Sequence, residues 1–200
     1  MEADTLESCG FSDIILSIKS STVSTMMEAS RLVASACDYP IHLGVTEAGD
    51  AYSGIVKNSI GIGSLLSEGI GDTIRVSLTA DPLEEIRAGK EILSSLGLNI
   101  RGGIQIVSCP TCGRTRIPLI DLATEFRKAI ENLDTKGKTI KVAVMGCVVN
   151  GPGEAREADI GIAGGDSCCA LFKKNEIIGK VSLEDSIPSL LREVRKIIDE

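Results

Sequence analysis

Ile41-His42-Leu43-Gly44-Val45-Thr46 and Thr73-Ile74-Arg75-Val76-Ser77-Leu78 are two short strand-like runs with a glycine-punctuated helical stretch, Ala51 to Ser67, between them. Two strands joined through a helix pair in parallel, because the crossover returns the chain to the starting edge of the sheet. The same alternation extends in both directions. Upstream, Asp13 to Lys19 reads as a strand, and Thr22 to Ala36 carries apolar positions at helical spacing. Downstream, Pro82 to Leu96 reads as a helix, with Asp81 as N-cap and Pro82 at its first position. Met1 to Gly10 has the character of the end of a helix. Strands alternate with helices three times, which calls for parallel β/α units whose active residues gather at the C-terminal strand ends.

Alternation within these strands assigns their faces. Ile14, Leu16 and Ile18 share one side of the first strand, with Ser17 and Lys19 on the other. In the third, Arg75 and Ser77 oppose Ile74, Val76 and Leu78. An apolar face meets the helices, so Lys19, Arg75 and Ser77 converge on the polar side. An anion suits that side, with Lys as a point charge and Arg as a bidentate fork for phosphate; merely solvated strand-end charges are the alternative reading. Glu47 follows the second strand; strict parity places it with Ile41, Leu43 and Val45, and it reaches the polar side only if Thr46 to Gly49 already belongs to the turn. His42 has lumen parity and is read as a satisfied core histidine. Gly61-Ile62-Gly63 lacks the third glycine of a dinucleotide fingerprint.

Leu98 to Gly103 reads as a linker between a first region, 1–97, and a second, 104–200. In the second region, strands are expected at Ile104 to Val107, Ile140 to Val144, Asp159 to Ala163, Ala170 to Lys173 and Ile177 to Val181. Helices are expected at Pro118 to Leu133 and Leu183 to Ile198. Its distinctive residues are Cys109-Pro110-Thr111-Cys112 and Cys147-Val148-Val149-Asn150-Gly151-Pro152-Gly153-Glu154. The closely spaced pair turns two thiols to one side. The third thiol follows a strand, and the Asn-Gly-Pro-Gly turn bends Glu154 back toward it. Three soft ligands and one hard one suit an iron-sulfur cluster and, with Cys168 or Cys169 as fourth ligand, zinc equally well; a dithiol redox pair at Cys109 and Cys112 is a lesser third reading. Arg114 and Arg116 flank the pair, as solvated charges or as a steering surface for an acidic electron carrier.

Two hundred residues can bury about 70% of the unfolded surface, in one or two domains. Aromatic residues make up 2% of the chain, so the core is built of Ile, Leu, Val and Ala. A net charge of -7 without stacking aromatics argues against a nucleic-acid partner. No apolar run approaches the ~20 residues that span a bilayer. The acidic opening segment, whose first basic residue is Lys19, reads as no secretory signal. Seven cysteines in such a chain are expected to be reduced, in a cytoplasm, with Cys9, Cys37, Cys168 and Cys169 as small buried or partly exposed residues.

Ser108-Cys109-Pro110-Thr111-Cys112-Gly113-Arg114 and Met145-Gly146-Cys147-Val148-Val149-Asn150-Gly151-Pro152-Gly153-Glu154-Ala155 resemble the cluster motifs of the 4-hydroxy-3-methylbut-2-enyl diphosphate synthase family. The segments His42 to Gly49 and Leu65 to Leu78 are similar to that family too, and the likeness runs in order over nearly all of the chain. The resemblance implies a bacterial, cytoplasmic iron-sulfur reductase of the non-mevalonate isoprenoid pathway, holding one 4Fe-4S cluster through Cys109, Cys112, Cys147 and Glu154. It implies that Lys19, Arg75 and Ser77 bind the diphosphate of 2-C-methyl-D-erythritol 2,4-cyclodiphosphate. Glu47 is then an acid near the reacting carbon, and Asn150 contacts substrate beside the cluster. The implied partners are flavodoxin or ferredoxin as electron donor and a second copy of the chain in a homodimer.

The implied fold class is α/β: the last three β/α units of a TIM-type barrel, followed by a small α/β iron-sulfur domain resembling sulfite-reductase modules. A complete barrel needs eight strands and typically about 250 residues. The chain therefore reads as the second half of such an enzyme, begun inside the barrel. Catalysis by the chain alone is left open, with an inactive fragment or a structural-zinc module as the competing functions.

Overall fold

The computed structural model describes residues 2–98, 102–148, 155–174 and 176–200. It divides into two compact units, 1–99 and 100–200. Of the expected linker, Leu98 to Gly103, residues 99–101 lie outside the described ones, and Gly103 already belongs to a strand.

After a short helix α1 (Glu2–Ser8), the first unit places three strands in a parallel sheet in chain order. They are β1 (Leu16–Ser20), β2 (Ile41–Val45) and β3 (Thr73–Ile74). Helices α2 (Val23–Ala36), α3 (Ala51–Ser67) and α4 (Pro82–Ser95) connect and cover them. The apolar strand face, Ile41, Leu43 and Val45, packs against Met26 of α2, Ile62 and Leu65 of α3, and Ile92 of α4. The starts of α3 and α4 are fixed by side-chain caps. Asp50 accepts the Ser53 N–H at 3.0 Å, and Asp81, ahead of Pro82, accepts that of Leu83 at 2.8 Å. The sheet is open, a parallel β/α layer and not a closed barrel.

Two strands are shorter than their sequence patterns. β1 begins at Leu16 instead of Asp13 because its neighbour enters the sheet only after Pro40, whose carbonyl accepts the Leu16 N–H at 2.9 Å. β3 ends at Ile74 instead of Leu78. Arg75 still donates to Leu43 O at 2.9 Å, but beyond it side chains replace the ladder: Asn58 Nδ2 donates to Ser77 O at 3.2 Å, and Leu78 N–H donates to Glu85 Oε1 at 2.8 Å.

The second unit is a five-stranded mixed sheet in the order β4-β5-β6-β7-β8. β4 (Gly103–Ser108), β5 (Thr139–Met145) and β6 (Ile160–Gly164) are parallel; β7 (Cys169–Lys173) and β8 (Glu176–Val181) add in antiparallel sense. Helices α5 (Leu119–Ile130) and α6 (Ser186–Asp199) contribute Phe126, Leu190 and Val194 to a core closed by Ile140, Val142, Val144, Ile160 and Ile162. Ala143, Met145, Ala163 and Phe172 form a second apolar layer on the opposite sheet face, with Ala155 and Ala158. Both helices are shorter than expected: α5 stops before Leu133, and α6 starts after Leu183. Among the described residues no helix is long and apolar enough to cross a membrane.

Candidate functional site

In the first unit, register puts Ser17, His42 and Thr73 side by side, and Lys19 beside Gly44. Arg75 follows in line, because the Leu43–Ile74 pair precedes it. Residues of this parity lie opposite the helix-covered face. Gly44 makes the arrangement possible. A Cβ there would stand 2.8 Å from Arg75 O and 3.4 Å from Lys19 Nζ, so the missing side chain lets the neighbouring strand and the ammonium close in. The Arg75 guanidinium is held by its neighbour on the same face, donating from Nε and Nη2 to Ser77 Oγ at 3.1 and 3.0 Å.

His42 stands on this cationic face, half-buried, and not in the core. Its Nδ1 is hydrogen-bonded to Thr73 Oγ1 at 2.8 Å. Desolvation first, then the charges of Lys19 and Arg75, depress its pKa, so the ring is neutral at pH 7. Partial burial and then repulsion from Arg75 lower that of Lys19 as well. An anion placed among these groups would reverse the repulsion, which is how a preassembled cationic site gains affinity for phosphate. Glu47 meets the condition set by its parity. β2 ends at Val45, and Glu47 sits exposed in the following turn, in the left-handed region at φ 53°.

Asn58 is the residue that pattern reading missed. Fully buried on α3, it accepts the Val45 N–H at 3.4 Å and donates from Nδ2 to Gly54 O at 2.9 Å and to Ser77 O at 3.2 Å. One side chain thereby fixes the end of β2 and the segment bearing Arg75 and Ser77. The available signal was a lone amide at helical spacing between Ile55 and Ile62.

In the second unit, cysteines follow the ends of adjacent parallel strands. Cys109 comes directly after β4, and Cys147 two positions after the end of β5, in neighbouring register. Gly146 N–H donates to Cys109 Sγ at 3.3 Å, tying one thiol to the turn that carries the other. Cys147 is buried, Cys109 half-buried and Cys112 exposed. Asn150 and Glu154 lie outside the described residues. Among the described ones, no group of three or more His, Cys, Asp or Glu side chains converges as a site for a single metal ion. Cys168 is half-buried; Cys169 is buried in the core, where desolvation foremost raises its thiol pKa. Arg116 is paired with Asp166 across 3.4 Å at the exposed rim.

Two family models match in sequence order: the GcpE TIM-barrel domain over residues 1–90 and the GcpE protein C-terminal domain over residues 105–196. The chain belongs to the GcpE family. Several curated relatives are named 4-hydroxy-3-methylbut-2-en-1-yl diphosphate synthase (flavodoxin). The one from Clostridium acetobutylicum is 58% identical over 94% of this chain and 53% of its own length. That from Clostridium tetani is 56% identical, over 96% of this chain and 54% of its own. The Geobacter sulfurreducens protein is 52% identical over 98% and 54%. The chain thus spans about half the length of these GcpE relatives. Its likeness to them covers both units, the cationic face as well as the cysteine end.

Proposed function

We propose that the chain supplies one flank of the substrate site and the whole iron-sulfur centre of an enzyme that opens 2-C-methyl-D-erythritol 2,4-cyclodiphosphate to 4-hydroxy-3-methylbut-2-enyl diphosphate. Two electrons and two protons enter, the cyclic C–O bond to phosphate breaks, and water leaves. The names of the relatives support flavodoxin as the electron source. The observation that carries the proposal is the Gly146 N–H to Cys109 Sγ bond, which brings the loops of Cys109 and Cys147 together at one sheet end.

The residues divide the work. Lys19 and Arg75, across Gly44, hold the diphosphate, and Ser77 keeps the guanidinium fork aimed. Thr73 fixes the orientation of neutral His42 on the same face. Glu47, in the turn past β2, delivers a proton to the leaving oxygen. Cys109, Cys112, Cys147 and Glu154 hold a 4Fe-4S cluster, and Asn150 contacts the substrate beside it. When bound, such a cluster would supply electrons singly, and Glu154 would hold its iron less firmly than the three thiolates. A homodimer and a cytoplasmic location complete the proposal.

Anaerobic reconstitution with ferrous iron and sulfide tests it. About four irons and four sulfides per chain, with a brown, oxygen-sensitive absorption, are expected. Stoichiometric zinc in a colourless protein overturns it.

A further inference from the structure

We propose that Thr115 is a positioning residue for the iron-sulfur centre, clasping the Cys109–Cys112 loop to the turn that carries Cys147; this rests on the cluster assignment above. An exposed loop holding Cys112 pays conformational entropy for every restraint a cluster imposes on it, so a loop ordered beforehand binds with less loss. Two bonds between the same residues close this one: Thr115 N–H donates to Cys112 O at 3.0 Å, and Cys112 N–H donates to Thr115 Oγ1 at 3.2 Å.

The same side chain also reaches the second loop. A Cβ built on Gly146 would lie 2.9 Å from Thr115 Oγ1 and 3.0 Å from its Cγ2, so Thr115 rests directly on the α-carbon of Gly146. Both backbone groups of Gly146 are engaged by the first loop as well. Its N–H donates to Cys109 Sγ, and its carbonyl accepts the Arg116 N–H at 2.8 Å. The hydroxyl therefore fixes Cys112, while the body of the side chain holds Gly146 at the distance that permits the N–H to sulfur bond. Hydrogen bonds to ligating sulfurs are among the factors that set a cluster's reduction potential. Supporting partners of this kind typically govern metal affinity by about 10–100-fold.

Thr115→Val keeps the shape and removes the acceptor for Cys112 N–H; Thr115→Ser keeps the acceptor. The wild-type chain and both variants are reconstituted anaerobically, then compared for iron and sulfide content, midpoint potential and the half-time of iron loss to a chelator. In the cluster-free chains, Cys112 amide exchange is followed by NMR. Expected in Thr115→Val are iron loss at least about tenfold faster and faster Cys112 exchange, with the potential unchanged because the retained shape still holds Gly146 against Cys109 Sγ, and values within about threefold of wild type in Thr115→Ser. A Thr115→Val chain with the wild-type half-time and Cys112 exchange overturns the proposal while leaving the cluster assignment intact. So does equal damage in both variants that tracks their loss of stability in urea. A wild-type chain that takes up no iron overturns the cluster assignment itself, and the clasp with it.

Discussion

The two units build their functional groups on different supports. In the first, Lys19, His42 and Arg75 are set by strand register, so their spacing is fixed by the sheet that also carries the core. In the second, the cysteines stand past the strand ends, and their spacing depends on loop contacts such as Gly146 N–H to Cys109 Sγ. The proposed anion site and the proposed cluster shell thus rest on different kinds of order.

Cys147→Ser makes the largest break between them. A serine oxygen is a poor ligand for a soft cluster iron, so the cluster content should fall from about four irons per chain to near zero. Inorganic diphosphate binding, measured by calorimetry, should stay within about twofold, because the cationic face and this thiol belong to separate compact units. A loss of both would mean that the two supports are one cooperative unit.

Asn58→Ala comes next and acts on the strand side. It removes the partners of the buried Val45 N–H and of the half-buried Ser77 O, and an orphaned buried group costs about 1–3 kcal/mol. A loss of about 3 kcal/mol is expected for the first unit, read as a lower urea midpoint at unchanged slope. Diphosphate affinity should fall as well, since the segment holding Arg75 and Ser77 loses its anchor. Iron content should not change.

Legibility in the sequence follows the same division. The β/α alternation and the shared face of Lys19, Arg75 and Ser77 could be read because period-two patterning reports sheet faces directly. Strand ends could not, because they depend on partners distant in sequence: Pro40 decides where β1 begins, and Asn58 with Glu85 decides where β3 stops. His42 kept its parity but not its assigned core position, since only the assembled sheet sets Lys19 and Arg75 around it. In the second unit the cysteine motifs stood out by composition. The hold of Thr115 on Gly146 joins residues on separate loops, and no periodicity encodes it.

Arg75→Lys sharpens the strand side more finely. Lysine keeps the charge but cannot donate two bonds to Ser77 Oγ and present a planar fork to phosphate. Diphosphate affinity should weaken about tenfold, with the urea midpoint unchanged. An equal affinity in the variant would reduce the face to a collection of point charges and remove the role assigned to Ser77.

The smallest effect is a pH dependence with two opposite signs. His42 titrates below its ordinary value of 6.5 in the folded chain because desolvation, Lys19 and Arg75 disfavour its cation. Between that depressed value and 6.5 the unfolded chain binds more protons than the folded one. Stability from this group is therefore complete above pH 6.5 and is lost as pH falls through the folded value. Bound diphosphate turns the same electrostatics round, offering the imidazolium a counter-charge, so affinity should rise by about threefold as pH falls from 7.5 to 6. His42→Gln should flatten both trends, in urea titrations without ligand and in calorimetry with it. Persistence of the stability trend in the variant would assign it to another group on the face, and persistence of the affinity trend to such a group or to the diphosphate, whose own proton titrates at about pH 6; His42 would then be left as a hydrogen-bonding partner of Thr73 alone.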